Sequence, residues 1–319
     1  MSDLHPGTPV NIVVTNSKVA TGRQRKALAS LIGAGFLLAL STSLAKQAAT
    51  MGLAPLPFLV WSLAGATLVL YLYTRAQKSL APINRQNLTY FLVSGLLSVA
   101  GSNLIFFSAI PHIGAGFVAL VISLPPILTY IAALAFGMEQ FDRGRCLGVM
   151  AAMTGAAWLA FRKVDTEDVA IAWLALTALG PALLAAGNIY RSARWPAGLS
   201  AQALAPGMVA AATAMLGVAA LAWGLPLNLL SFSREALILT GVQSMVFAGQ
   251  FLLLFILQNN GGPVFLSLLG AIGATFGIPI AVYLLGEELP HGLAVGGLLI
   301  GLGVFLLAKF SNKEAGAEK

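Results

Sequence analysis

The stretch from Gly114 to Thr129 reads GAGFVALVISLPPILT, and apolar residues continue around it over about 113–136. A helix needs about 20 consecutive apolar residues to cross the hydrocarbon core of a bilayer. Pro125 and Pro126 remove backbone hydrogen bonds and leave carbonyls free, which a membrane helix tolerates only against protein or a water-filled cavity. The stretch therefore predicts a transmembrane helix whose middle faces protein or a cavity.

The rest of the chain has the same character. Of its 319 residues, 58% are apolar and 9% are charged, whereas about 25% are charged in an ordinary soluble domain. The candidate spans are 27–49, 55–74, 88–110, 113–136, 145–161, 169–190, 203–224, 236–258, 262–286 and 290–310. The first run is too long for a cleaved signal peptide, and similar runs follow it. We predict an all-α integral membrane protein with ten transmembrane helices.

The basic residues predict the orientation of these spans. If the N-terminus is inside, 14 of the 18 lysines and arginines lie on the inner side, and Lys46, Arg162, Lys163 and Arg234 lie outside. This bias follows the positive-inside rule. It predicts an N-in, C-in protein of the cell (inner) membrane, with cytoplasmic tails at 1–26 and 311–319. The net charge of +7 is scattered in ones and twos, so we expect no nucleic-acid partner.

The chain also contains an internal repeat. At an offset of 148 residues, 101–160 align with 249–308 without a gap, and thirteen positions match. The least common matches are Gly114/Gly262, Glu139/Glu287, Gly148/Gly296 and Gly155/Gly303. Each half, 27–161 and 169–310, holds five spans, so the two copies must insert with opposite orientation. Inverted repeats of this kind typically bind substrate near the midplane and alternate access between the two sides.

The repeated segment resembles a known pattern. The stretch Gly114–Thr129 is followed by Gly137-Met-Glu139 and a glycine-spaced span, and the second half closes with Leu285-Gly-Glu-Glu-Leu-Pro290 and another glycine-spaced span. Over essentially its whole length the chain is similar to the EamA family of the drug/metabolite transporter superfamily. The resemblance implies ten helices as two inverted five-helix repeats, and exporters or exchangers of amino acids and other small metabolites.

The sequence departs from the family pattern at two places. Gly273 and Ala274 stand where the family's span-nine proline would align with Pro125 or Pro126. Trp61 and Ser62 occupy the region of span two where an arginine is often seen. The substrate therefore does not follow from the resemblance.

Polar residues inside the spans are candidates for a transport path, because they are costly in a membrane. With the prolines and a neighbouring aromatic ring, the candidate cavity residues are Asn103, Phe107, Ser123, Pro125, Pro126, Thr129, Asn188, Gln243 and Gln250. Amides, hydroxyls and aromatic rings suit a neutral, zwitterionic or aromatic solute. The alternative is hydrogen bonding between packed helices, worth about 0.6 kcal/mol on average.

Charged residues near the span ends are candidates for gating or coupling. No Asp or Glu lies centrally in an apolar run, so a buried carboxylate relay is not visible and exchange is favoured over proton coupling. Glu139, Glu287 and Lys46 are the boundary groups that could gate or couple, although each glutamate could simply cap a helix end. Lys46 and Arg191 could attract a carboxylate or phosphate, or could snorkel to the interface.

We therefore predict a secondary transporter, an exporter or exchanger of a small metabolite such as an amino acid, working by alternating access. A channel or a non-transporting membrane protein is the alternative. An enzyme is disfavoured because no span contains Asp and His5, His112 and His291 lie outside the runs. The single Cys146 and the histidine spacing indicate no metal site, and we expect no cofactor. The expected partners are the solute and the lipid bilayer. GxxxG patterns at 273–277 and 297–301 fit internal packing in a monomer, or a weak homodimer.

Overall fold

The computed structural model describes residues 10–135, 141–166, 171–228, 232–267, 269–289 and 292–317. The helices in these ranges are α1 Val10–Thr50, α2 Pro55–Ala76, α3 Arg85–Gly95, α4 Ser102–Ile113, α5 Ala115–Val121, α6 Pro125–Ala135, α7 Arg143–Thr166, α8 Ile171–Ala193, α9 Ala201–Ala222, α10 Arg234–Ser267, α11 Leu269–Tyr283 and α12 Leu293–Ala317. A π-helical segment, Leu96–Gly101, joins α3 to α4. The described ranges contain no strand, which confirms the all-α prediction.

Seven helices in the described ranges are long and apolar enough to cross a membrane. They are Arg25–Thr50, Pro55–Ala76, Arg85–Ile113, Ala115–Ala132, Ile171–Ala193, Ala201–Ala222 and Arg234–Asn260. Two further apolar helices, Leu269–Tyr283 and Leu293–Leu306, are shorter. The chain is therefore a multi-pass membrane protein, as predicted.

Some helix ends differ from the predicted span ends. Helix α1 begins at Val10 rather than at residue 27, and its 41 residues extend about 61 Å, twice the thickness of a bilayer core. Helix α10 continues to Ser267, so the connection predicted between residues 258 and 262 is wrong. Gly261, Gly262 and Pro263 follow the predicted end of the span, but membrane helices tolerate both residue types.

The helix that contains the two prolines is broken as the sequence implies. Helix α5 ends at Val121, and α6 begins at Pro125. Between them the amide of Ser123 donates to the carbonyl of Leu120 at 3.0 Å, which is a tight turn rather than an α-helical bond. The carbonyl of Ile122 lies against Gly270 of α11, where a Cβ atom would overlap it. A glycine at position 270 is thus what lets α11 cross so close to the break.

The helices pack in a consistent set of pairs. Helix α1 packs mainly against α10 and α11, α2 against α9 and α10, and α7 against α12. Helix α8 packs against α4 and α6, α3 against α9, and α5 against α11. Small residues allow the closest approach, since a Cβ atom on Gly155 of α7 would lie 2.6 Å from the carbonyl oxygen of Gly296 in α12.

The two GxxxG patterns differ in their surroundings. Gly273 lies against Leu38 of α1, and Gly277 lies against Ala119 of α5, so this pattern packs inside the chain as expected. In contrast, a Cβ on Gly301 would meet no described atom within 4 Å, and one on Gly297 would meet only Leu293 of its own helix. The described residues therefore show no close helix contact at 297–301, whose two glycines instead line a groove together with residues of α5 and α11.

Candidate functional site

A cavity lies between the two halves of the chain. It encloses about 650 Å³ including its opening. The lining residues are Leu38, Ser98, Ser102, Asn103, Phe106, Ile122, Pro125, Pro126, Leu184, Asn188, Arg191, Gln250, Phe251, Leu254, Leu266, Leu269 and Gly270.

Five of the nine candidate cavity residues lie on this lining. They are Asn103, Pro125, Pro126, Asn188 and Gln250. The sequence places them in four different spans, and the fold brings them to one cavity. The break between α5 and α6 provides the two prolines, and α4, α8 and α10 provide the amides.

The other four candidates lie elsewhere. Phe107 stacks between Phe58 and Phe247, with ring centroids 6.1 and 5.9 Å away. Three polar side chains are also outside the lining of the cavity and are each hydrogen-bonded: Ser123 to the carbonyl of Leu120, Thr129 to the carbonyl of Pro125, and Gln243 to the hydroxyl of Ser41. The bond between Gln243 and Ser41 joins α10 to α1, which is the packing role that the sequence left open, whereas the bonds of Ser123 and Thr129 stay within their own span.

Helical geometry explains why predicted neighbours separate. Gln243 and Gln250 do share a face, but seven residues place them about 10 Å apart along the helix, and only Gln250 is at the level of the cavity. On α4 the cavity side runs through Ser102, Asn103 and Phe106. Asn103 is at the edge of this side, so Phe107, one position beyond Phe106, faces the aromatic core instead.

The cavity collects polar atoms that have no partner. Among the described residues, the buried hydroxyls of Ser98 and Ser102, Nη1 of Arg191 and Oε1 of Gln250 accept or donate no hydrogen bond. All four side chains line the cavity. Burying such groups without partners is unfavourable, so the cavity is built for a polar guest.

Arg191 is the charged residue of this lining, and its side chain is 1% exposed. Its Nε donates to Oε1 of Gln258 at 3.0 Å, and its Nη2 donates to Oδ1 of Asn188 at 2.7 Å. Nε2 of Gln258 in turn donates to Ser192 at 3.1 Å. The snorkelling alternative for Arg191 is therefore wrong, because the guanidinium points into the protein and is fixed there by two amides.

A second polar cluster lies at the end of the helix bundle that contains Gly114. The carboxylate of Glu287, in the loop between α11 and α12, accepts the amide N–H groups of Ala115 and Gly116 at 2.9 and 3.0 Å. Its Oε1 lies 3.5 Å from Nζ of Lys46 at the end of α1. Glu287 thus caps α5 and ties three segments together. Glu139, its counterpart in the repeat, lies outside the described residues.

Several residues of the cavity were missed from the sequence. Ser98, Ser102, Phe106 and Phe251 carry no signal of their own, because serine and phenylalanine are common in membrane helices. Gln258 was not predicted because it lies at the predicted end of span eight, where a polar residue is expected at the membrane interface. A search for polar residues at i, i+4 spacing would have found Ser98 and Ser102.

The comparisons with known proteins agree with this architecture. Residues 25–161 match the model of the EamA-like transporter family. This segment belongs to the EamA-like transporter family. It begins and ends within two residues of the first predicted repeat, 27–161, and it contains α2 to α6 and most of α1 and α7. The recognition made from the glycine, proline and glutamate motifs is thereby confirmed. The family is part of the drug/metabolite transporter superfamily.

The fold comparison covers more of the chain than the family match. Seventeen chains of solved structures match significantly. One of them, a crystal structure described only as that of a protein, superposes with a TM-score of 0.64 at 16% sequence identity, covering 89% of this chain and 98% of its own. At that identity the two chains share a fold. No curated protein matches the sequence significantly.

Proposed function

We propose that this EamA-like protein is a secondary transporter, an exporter or exchanger that moves a small metabolite such as an amino acid by alternating access. The supporting observation is the cavity, because both halves of the chain line it and it holds four buried polar atoms without partners. A guest that satisfies these atoms in the bilayer interior would bind there reversibly. No cofactor takes part in the proposal.

The packing of the helices favours two inverted five-helix repeats, with ten spans in all. We count α3 with α4 as one span and α5 with α6 as one span, and compare each helix pair with the pair obtained when the two five-span halves exchange places. The pairing of α1 with α10 then corresponds to that of α8 with α4. The pairing of α1 with α11 corresponds to that of α8 with α6, and the pairing of α2 with α10 corresponds to that of α9 with α3. Three further pairs, α2 with α9, α5 with α11 and α7 with α12, correspond to themselves. A pseudo-two-fold axis produces this pattern.

The cavity lining follows the same symmetry. At the 148-residue offset, four pairs of equivalent positions face the cavity: Ser102/Gln250, Asn103/Phe251, Phe106/Leu254 and Ile122/Gly270. An axis that passes through the cavity explains these pairs, and inverted-repeat carriers bind their substrates on such an axis. In the proposed fold the two halves have similar backbones but different side chains. The two ends of a bound solute would therefore contact different chemical groups.

The cluster of Lys46, Glu287 and the first turn of α5 is proposed as the outer gate. In the N-in, C-in orientation, the end of α1 and the loop between α11 and α12 both lie on the outer side. When Glu287 holds α5 and Lys46 together, this side of the cavity is closed. Glu139 is proposed as the corresponding inner group from its place in the repeat. The protein would act in the cell (inner) membrane as a monomer or weak homodimer.

Transport into proteoliposomes tests the proposal directly. Purified protein would be reconstituted and offered a panel of labelled amino acids and other small metabolites, with and without a pH gradient. We expect at least one solute to be taken up and to exchange with unlabelled solute on the other side. If no solute moves while a hydrolytic or transferase activity survives purification, the carrier proposal fails. A reporter scan that places the C-terminus outside would refute the inverted repeat.

A further inference from the structure

We infer that Arg191 is the anion-binding residue of the cavity and that the transported solute presents a single carboxylate to it. This inference rests on the proposed carrier function and specifies the chemical class of its substrate. It starts from an imbalance of charge: the cavity lining contains one charged side chain, and that side chain is a cation.

The guanidinium has no carboxylate partner within the described parts of the chain. The ion pair recorded there joins Lys46 to Glu287, and Arg191 instead contacts the neutral amides of Asn188 and Gln258. An ionised group that is 1% exposed is costly in a membrane interior unless an opposite charge compensates it. The solute is the component that could supply this charge.

Two of the three guanidinium nitrogens are held by amides, and the third is buried without a partner among the described residues. Asn188 and Gln258 occupy Nη2 and Nε, whereas Nη1 has no partner among the described residues. The two amides therefore hold the guanidinium plane in position and leave Nη1 for a ligand in the cavity. A preorganised donor of this kind is what arginine offers to planar oxyanions.

A carboxylate fits this site better than a phosphate does. A phosphate ester carries nearly two negative charges at neutral pH, and the lining offers one positive charge. A monocarboxylate would neutralise Arg191 and leave the remainder of the solute to the neutral groups of the cavity.

The rest of the lining favours a hydrogen-bond donor elsewhere in the same solute. Oε1 of Gln250 is buried without a donor in the described helices. The amide nitrogen of Asn103 donates one of its two hydrogens to the carbonyl of Val99 at 2.8 Å, and its amide oxygen can accept a hydrogen bond from a ligand. An ammonium or hydroxyl group near the carboxylate would satisfy these acceptors.

Ligand-dependent thermal stability of the full-length protein in detergent tests the assignment. The probes are four matched pairs of a carboxylate and its primary amide: acetate and acetamide, lactate and lactamide, leucine and leucinamide, and phenylalanine and phenylalaninamide. Succinate and inorganic phosphate are added as anions of higher charge. A ligand that binds the folded protein raises Tm in proportion to its affinity and concentration. We expect at least one carboxylate to bind tenfold or more tightly than its amide.

Three variants locate this preference. Arg191→Gln should reduce the carboxylate-to-amide affinity ratio to about one. Arg191→Lys should keep the preference with weaker binding, because a lysine retains the charge but not the fixed plane. Arg194→Gln is the matched control, since Arg194 is in the same region and exposed, and it should behave as wild type. A merely structural role would lower Tm in Arg191→Gln without changing the affinity ratio.

The outcomes separate this inference from the carrier proposal. Three results with the wild-type protein would overturn the inference: no carboxylate raises Tm, carboxylate and amide bind equally, or succinate or phosphate binds best. These results do not depend on whether any variant folds. If a solute is transported equally by wild type and Arg191→Gln, the carrier proposal stands and the anion site fails. If a carboxylate binds through Arg191 but is not moved in proteoliposomes, the site stands and the carrier proposal fails.

Discussion

Replacement of Glu287 by alanine should open the proposed outer gate. The change removes the acceptor of two backbone N–H groups at the start of α5 and the partner of Lys46. Loss of a helix cap costs about 0.5–2 kcal/mol. The ion pair adds at most about 1 kcal/mol, because the two side chains are 24% and 15% exposed and water screens them. The closed state should lose about 2 kcal/mol in total, which is about a 30-fold shift of its equilibrium with open states.

Thiol accessibility measures this shift. The single native cysteine is removed as Cys146→Ala, and Ser102→Cys places a reporter thiol on the cavity lining. A membrane-impermeant thiol reagent is applied from the outer side, and the rate of modification is measured. While the closed state dominates, this rate follows the open fraction, so Glu287→Ala should react about 30-fold faster. Glu287→Gln can still accept one N–H and should react about fivefold faster.

The control is the neighbouring acid. Glu288 is exposed, so Glu288→Gln should change neither the rate of modification nor Tm. If Glu287→Ala and Glu288→Gln react at the same rate within a factor of two, Glu287 does not hold the outer side closed. A Glu287→Ala variant that loses stability without gaining accessibility would make the residue a helix cap alone.

Two other predictions follow from the placement of particular residues. Gln250→Leu should lower transport per folded molecule at least tenfold with little change in Tm. Gln243→Leu should instead lower Tm, because the hydroxyl of Ser41 loses its partner, and should leave transport per folded molecule nearly unchanged. Equal transport and equal Tm in the two variants would contradict this division. Gly270→Ala should destabilise the protein by about 1–3 kcal/mol, because the added Cβ atom overlaps the Ile122 carbonyl. Gly241→Ala is the matched control, since its Cβ atom would meet no described atom within 4 Å. It should leave the unfolding temperature unchanged or slightly raised.

The fold was predicted from the sequence because its determinants are local. Whether a segment such as Gly114–Thr129 enters a bilayer depends on the length and polarity of that segment alone, and the same holds for every other apolar run. The family was predicted from the same local motifs. Helix ends were predicted less well, since a glycine or proline that stops a helix in water does not stop one such as α10 that is embedded in lipid and protein.

The candidate site was predicted only in part, because the lining of a cavity depends on how each helix is rotated about its axis and how deep each residue lies along it. The chemistry of an amide marks Asn103 and Gln250 as candidates, but it equally marks Gln243, which lies on the same face about 10 Å away. Nothing in the sequence distinguishes Phe106, on the cavity, from Phe107, in the aromatic core.

By itself the sequence determined that this protein is helical, lies in a membrane and resembles a transporter family, since these properties follow from composition and local pattern. Only the tertiary structure decided that Arg191 is buried at the cavity rather than extended to the interface. Its hydrogen-bond partners come from α8 and α10, which are far apart in the chain. Which side chains surround a charge is a property of packing between helices, and no single helix encodes it.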